Sequence, residues 1–319
     1  MYQIQNNRSK LAVSACFILI TAFVITGCSG ASSKNEVQKD TSNITMAAII
    51  EANKSQNILS RHGSIFVEDS TSDSEEVYYT YVSADYMYQK SGESNIVVSE
   101  EENWECDEDN GERTFYYYWF AMDENEEKEM RSVPSDYEYI EEVYTSREKI
   151  ENIQENSDGT LTITTLLGTD DVKEFYDSYQ IEYPQGLDTL EQRSEYVVDG
   201  NTLEISSVYM TVFYDGSEAS NATRKITYDA EQPDELNTLT ELIYEYKNDK
   251  TTNERTAKVI YDYGTDREQS YEFKANQKYR VIVNTRDGYD YLYTDPEKTQ
   301  EYDGGDGVSD ITIYAFTEE

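Results

Sequence analysis

The chain has 319 residues, 26 of them basic and 65 acidic, for a formal net charge of −39. A field of that sign repels nucleic-acid backbones and anionic headgroups, so nucleic acid is excluded as a partner and a basic patch cannot be the membrane anchor. Leu, Ile, Val and Phe supply only about one-fifth of the chain, the level at which sequences stop folding, and 30 tyrosines make up the deficit.

In chain order, Arg8 and Lys10 precede an apolar run over residues 11–24, and Ile25, Thr26 and Gly27 then precede Cys28. A run this short, with basic residues before it and small ones after, is an export signal rather than a permanent span. Ile25 to Cys28 resembles the lipobox of bacterial lipoproteins. That resemblance implies cleavage before Cys28 and a diacylglyceryl group on its thiol. Residues 1–27 are therefore expected to be a signal peptide, and 28–42 the lipidated cysteine and a small, polar, flexible tether. The remainder would be lipid-anchored to the cell membrane on its extracytoplasmic side. Removal of the signal leaves 24 basic and 65 acidic residues, a net −41, and one thiol, Cys106, so no intramolecular disulfide is possible.

The spacing of Met46, Ala47, Ile49, Ile50, Asn53 and Ile58 predicts one amphipathic helix over 43–61, capped by Ser42 or Asn43 and ended near Gly63. Strands are expected at 65–67, 77–82, 85–90, 114–122, 137–144, 159–167, 203–213, 223–229, 239–246 and 256–263, where aromatic and β-branched residues cluster or alternate. Asn110-Gly111, Asp158-Gly159, Asp199-Gly200 and Asp215-Gly216 supply hairpin turns between several of these runs. A short helix over 170–179 follows from Val172, Phe175, Tyr176 and Tyr179. The fold class is mainly β (α+β): an antiparallel open sheet covered by the N-terminal helix, with a short inserted helix and a C-terminal β segment.

This order, carried by residues 47–56 leading into 64–67 and later by 196–205, resembles the lipoprotein-carrier superfamily over 43–265. The resemblance implies an open half-barrel whose cavity, between sheet and helix, holds an acyl chain or similar apolar ligand. Residues 266–319 resemble an internalin-type B repeat through Gly288, Tyr289, Tyr293, Thr299, Tyr302 and 310–315, but lack the Gly-Trp expected before Tyr293. They read equally as closing strands of the main sheet, with a turn at 303–307.

The candidate ligand-binding residues are Ile49, Ile50 and Ile58 on the helix and Tyr79, Tyr81, Tyr86, Tyr88, Tyr117 and Trp119 on alternating strands. Flat amphipathic rings can line an apolar cavity, form a sugar platform, or simply fill a leucine-poor core. Catalytic machinery is missing: the one histidine, His62, sits at a helix end, where it would favour the dipole, and no nucleophile-elbow sequence occurs. One His and one free Cys cannot build a zinc site, residues 107–111 lack the EF-hand spacing, and no phosphate loop is present, so no metal or cofactor is expected. The sequence thus points to a non-catalytic anchored lipoprotein binding a lipid or other apolar small molecule. The alternatives are a surface protein touching carbohydrate or cell wall through exposed tyrosines, and a hydrolase working through paired carboxylates. Oligomeric state is not specified.

Overall fold

The computed structural model describes residues 43–72, 77–140, 145–178, 183–252, 254–289, 291–302 and 310–317. The expected signal peptide, the lipobox with Ile25, Thr26, Gly27 and Cys28, the tether, and the turn at 303–307 lie outside these residues. The fold is mainly β, built on open, predominantly antiparallel sheet. Two compact units are interleaved along the chain, one holding the described residues up to 84 and 137–230, the other 85–136 and 231 onward.

The first unit begins with two helices, α1 (Met46–Ala52) and α2 (Ser55–Arg61), where one continuous helix over 43–61 was expected. Thr45, not Asn43, caps α1 by accepting from the Ala48 N–H. The break falls at Asn53, which is fully buried and spends its side chain on other elements. Asn53 Nδ2 donates to Ile49 O (2.7 Å) and Leu203 O (2.8 Å), and Oδ1 accepts from Ile205 N–H (2.9 Å) and the Tyr139 hydroxyl (3.0 Å). Four bonds to one amide outweigh the continuation of a seven-residue helix, because each buried backbone group left unpaired costs about 1–3 kcal/mol.

Seven strands follow: β1 (Ser64–Thr71), β2 (Val77–Ser83), β7 (Lys149–Glu155), β8 (Thr160–Leu167), β9 (Leu190–Asp199), β10 (Ile205–Tyr214) and β11 (Ser217–Tyr228). They lie in the order β2-β1-β11-β10-β9-β8-β7, every neighbour antiparallel. In β8 the alternation is read directly: Leu161, Ile163, Thr165 and Leu167 turn inward while Thr160, Thr162 and Thr164 stay half-exposed. Ile49, Ile50 and Ile58 pack with Ile65, Val67, Leu161, Ile163 and Val198 in one core cluster. Each such side chain contributes about 1.5–3 kcal/mol by leaving water. Across β1 and β11, directly opposed Asp69 and Arg224 form a two-pronged ion pair at 2.6 and 2.8 Å inside the sheet. The inserted helix α4 (Thr169–Ser178) is where its spacing placed it, with Val172 and Tyr176 against Leu167 and Leu190. Residues 137–140, expected as strand, are irregular, because Tyr139 turns inward to reach Asn53; 141–144 lie outside the described residues.

The second unit contains β3 (Tyr86–Ser91), β4 (Ser94–Ser99), β5 (Asn103–Asp109), β6 (Glu112–Phe120) and β14 (Arg280–Asn284), ordered β14-β6-β5-β4-β3. Asn110-Gly111 turns β5 into β6 with φ of 52° and 81°, the left-handed pair a tight hairpin requires. A separate sheet orders β13 (Gln269–Ala275), β12 (Arg255–Tyr261), β16 (Ile311–Phe316) and β15 (Tyr291–Tyr293). The boundary expected at 265 falls between β12 and β13, which pair along their whole length. The tail therefore splits: β14 extends one sheet in parallel with β6, while β13, β15 and β16 build the other. The expected strand at 239–246 is instead part of a helix, α5 (Asp234–Asn248). Leu236, Leu239 and Ile243 recur at helical spacing and are its buried stripe, Pro233 precedes it, and Asp234 and Glu235 favour its N-terminus.

Asn53→Ala should destabilise the first unit by about 3 kcal/mol, because it orphans the Ile205 N–H and the Leu203 carbonyl together. Chemical denaturation checks this, and a loss below about 1 kcal/mol would mean that water replaces the amide.

Candidate functional site

Most of the rings singled out in the sequence are interior. In the second unit Trp104, Tyr117, Trp119, Phe273 and Tyr279 form one aromatic core, with Trp104 4.9 Å from Tyr117 and 5.0 Å from Tyr279, and Phe273 5.0 Å from Tyr117 and 5.7 Å from Trp119. Tyr88 is buried, its hydroxyl donating to Asn95. In the first unit Tyr81 is buried on β2 and Tyr79 half-buried, stacked on Phe66 at 5.8 Å. Tyr86 is half-buried at the start of β3. Ile49, Ile50 and Ile58 are core. These residues are divided between the two units.

The rings that do reach the surface together lie in the tail. On β16, Ile313 and Ala315 are fully buried, so the alternation leaves Thr312, Tyr314 and Phe316 on the outer face. β15 runs antiparallel beside it with Tyr291 opposite Phe316 and Tyr293 opposite Tyr314, placing four rings on that face. Tyr263 adds a fifth, edge-on to Tyr314 at 5.1 Å, and Tyr293 meets Phe316 at 6.0 Å. Tyr291 is 40 % exposed and Tyr263 44 %, more than a core ring would be.

The loop leaving β15 braces this face. Asp295 accepts from the Thr299 and Gln300 N–H groups, Thr294 N–H donates to Gln300 O (2.8 Å), and Tyr302 N–H to Leu292 O (2.8 Å). Lys298 is held at φ 60°, a left-handed conformation that costs a lysine, and its ammonium lies 4.2 Å from the centre of the Phe316 ring. Flat rings with hydroxyl edges and a cation beside them suit the C–H faces and hydroxyls of a sugar. The alternation in Tyr-Leu-Tyr and Ile-Thr-Ile-Tyr-Ala-Phe was visible in sequence, but only the register shows that both strands turn their rings the same way.

His62 is more tightly held than a helix-end residue needs to be. Nδ1 lies 2.8 Å from Asp229 Oδ2, Nε2 3.3 Å from Glu204 Oε1, and the ring stacks on Tyr228 at 4.7 Å. Glu204 also takes Arg61 at 2.6 Å, and Asp229 accepts from the Gly63 N–H. The hydrogen bond to Asp229 lifts the imidazole above its ordinary value against the opposing effect of partial burial, and Glu204 adds to the lift. Both ring nitrogens face carboxylates, an arrangement that holds a proton rather than one that takes it from a nucleophile. The Cys106 thiol is buried and pushed up to about 11 by desolvation, which keeps it protonated and unreactive. The carboxyl of Glu148 is raised by burial, with Thr165, Tyr196, Ser194 and Gln192 bonded to it.

Among the described residues no three His, Cys, Asp or Glu side chains are grouped to hold a metal ion, and no helix is long and apolar enough to cross a membrane. The chain matches no family model and no curated protein.

Because His62 is raised in the folded state, its ion pairs contribute in full below its unfolded value near 6.5 and are lost as pH rises through the higher folded value. Melting temperature should therefore fall as pH rises above about 6.5, and the fall should shrink in His62→Gln. An unchanged pH profile in that variant would remove His62 as its source.

Proposed function

We propose that this chain is a lipid-anchored extracytoplasmic lipoprotein that works by contact rather than catalysis, holding carbohydrate against the aromatic face of β15 and β16. The lipobox at Ile25 to Cys28 supports the anchor. The observation that carries the contact reading is the shared outward register of Tyr291, Tyr293, Tyr314 and Phe316. Tyr291 is exposed and Tyr293, Tyr314 and Phe316 are half-buried, and apolar rings that reach solvent together on one face mark a binding surface more than rings scattered singly do. Stacking on sugar faces also tolerates the protein's negative charge, because a neutral glycan feels no net field from it.

The apolar-ligand reading has less support. Ile49 and Ile58 are fully buried and fill the seam that an acyl chain would enter with their own contacts to Ile65, Leu161 and Ile163. For paired-carboxylate hydrolysis, Glu148 faces hydroxyl and amide donors, and Glu204 and Asp229 both engage the His62 ring, which supports neither as half of a hydrolytic pair.

Two measurements test the proposal. Cys28→Ala should move the protein from the membrane to the soluble fraction, and continued attachment would sink the anchor. Tyr291→Ala with Phe316→Ala should weaken retention on insoluble cell-wall polysaccharide about tenfold or more, equivalent to ~1.4 kcal/mol. Each ring is at least partly exposed, so the melting transition should move little; unchanged retention by the doubly substituted, folded protein would rule the face out.

A further inference from the structure

The second unit holds a cleft lined by cations, in a chain whose net charge is strongly negative. Its volume is about 250 Å³, and Arg113, Arg255, Lys278 and Arg280 line it together with Gln277 and Thr114. Buried Phe115 and Tyr279 complete the wall. At the chain's overall composition, eight residues would include one or two acids and fewer than one cation. Here there are four cations and no acid. We propose that this cleft binds the phosphate group of a small phosphate ester.

Arg280, Lys278 and Arg113 are each held in place by specific neighbours. β14 lies parallel to β6 with Arg280 opposite Tyr116, and the Arg280 guanidinium rests over that ring at 5.6 Å and donates to its hydroxyl at 3.3 Å. The turn carrying Gln277 and Lys278 is pinned by Asn276, whose Oδ1 accepts from the Lys278 N–H at 2.8 Å and whose amide donates to Tyr246 O. The Lys278 ammonium lies 5.6 Å from the centre of the Tyr246 ring and 3.8 Å from Asp249. Arg113 is steadied by Glu108 (3.1 Å) and Glu235 (2.7 Å). These three carboxylates are not among the cleft's lining residues, and they hold Arg113 and Lys278 in place.

A phosphate monoester brings nearly two charges and three acceptor oxygens, enough to answer several separated guanidinium and ammonium donors at once. A single carboxylate brings one charge, and 65 carboxylates of the chain already compete in that role. The size of the ligand is set by the surrounding field: a small ester meets the acidic surface only within about 10 Å at ordinary salt, whereas a nucleic acid would have to lay many phosphates along it. Gln277 and Thr114 offer neutral partners to hydroxyls on the ester's organic part.

The test is titration of the full chain in detergent, followed by calorimetry and by the phosphorus resonance of the probe. Glycerol phosphate is the monoester probe, glycerophosphoglycerol stands for the diester of lipid headgroups and polyol phosphates, and succinate is the carboxylate control. Saturable binding of glycerol phosphate, tighter than succinate, is the expected result; preference for the diester would support the cleft with a headgroup-type source. Arg280→Gln should weaken the preferred phosphate probe at least tenfold. Gln277→Glu, a change at an exposed turn position, should do the same with the melting transition preserved, so a folding failure of the first variant does not blunt the test. Absence of phosphate binding, binding of succinate as tight as phosphate, or unchanged affinity in folded Gln277→Glu would each overturn the proposal. None of these outcomes bears on the aromatic face, which is scored by polysaccharide retention.

Discussion

Sixty-five carboxylates on one chain repel each other, and the one described cysteine is free, so no cross-link among the described residues limits how far an unfolded chain can spread. The folded state has to win by burial, and it does so with a meagre aliphatic supply. The second unit meets this constraint with rings packed on rings around Trp104 and Tyr117. The first unit uses isoleucine and valine for its apolar cluster and fully bonded polar groups elsewhere: Asn53 at the helix break, Asp69 with Arg224 between strands, Glu148 among hydroxyls. Each polar group is expensive to bury alone and tolerable only because every partner is present.

That dependence explains which parts of the structure were legible in the sequence. Strand β8 and helix α4 were, because local alternation or helical spacing alone decides which face is buried. The break between α1 and α2 was not, since Asn53 is ordinary at helical spacing and its partners Leu203 and Ile205 lie about 150 residues away. Helix α5 reads as a strand by residue type, through its Tyr and Ile residues, while Leu236, Leu239 and Ile243 form a helical stripe by position. Residue type misled where spacing would have decided.

The candidate sites show the same division. Tyrosines chosen from the sequence for their alternation proved largely interior, as alternation reports one buried face without saying which rings occupy it. The aromatic face needed the register of β15 on β16, and the cationic cleft needed residues 113, 255, 278 and 280 brought together by β14 entering beside β6. Net charge describes the chain as a whole and hides a local gathering of cations. A global field and a local cleft can differ because screening confines each to about a Debye length.

Interleaving of the two units also fixes when folding can finish. Strand β1 has β11 as one neighbour, so Ser64–Thr71 cannot complete its pairing before Tyr228 is available; β6 likewise waits for β14, at Arg280–Asn284. A chain synthesised from its N-terminus therefore spends most of its synthesis with open strand edges. Such edges recruit other chains, and pairings this distant in sequence close slowly. The dense negative charge also makes neighbouring unfinished copies repel one another while those edges are open.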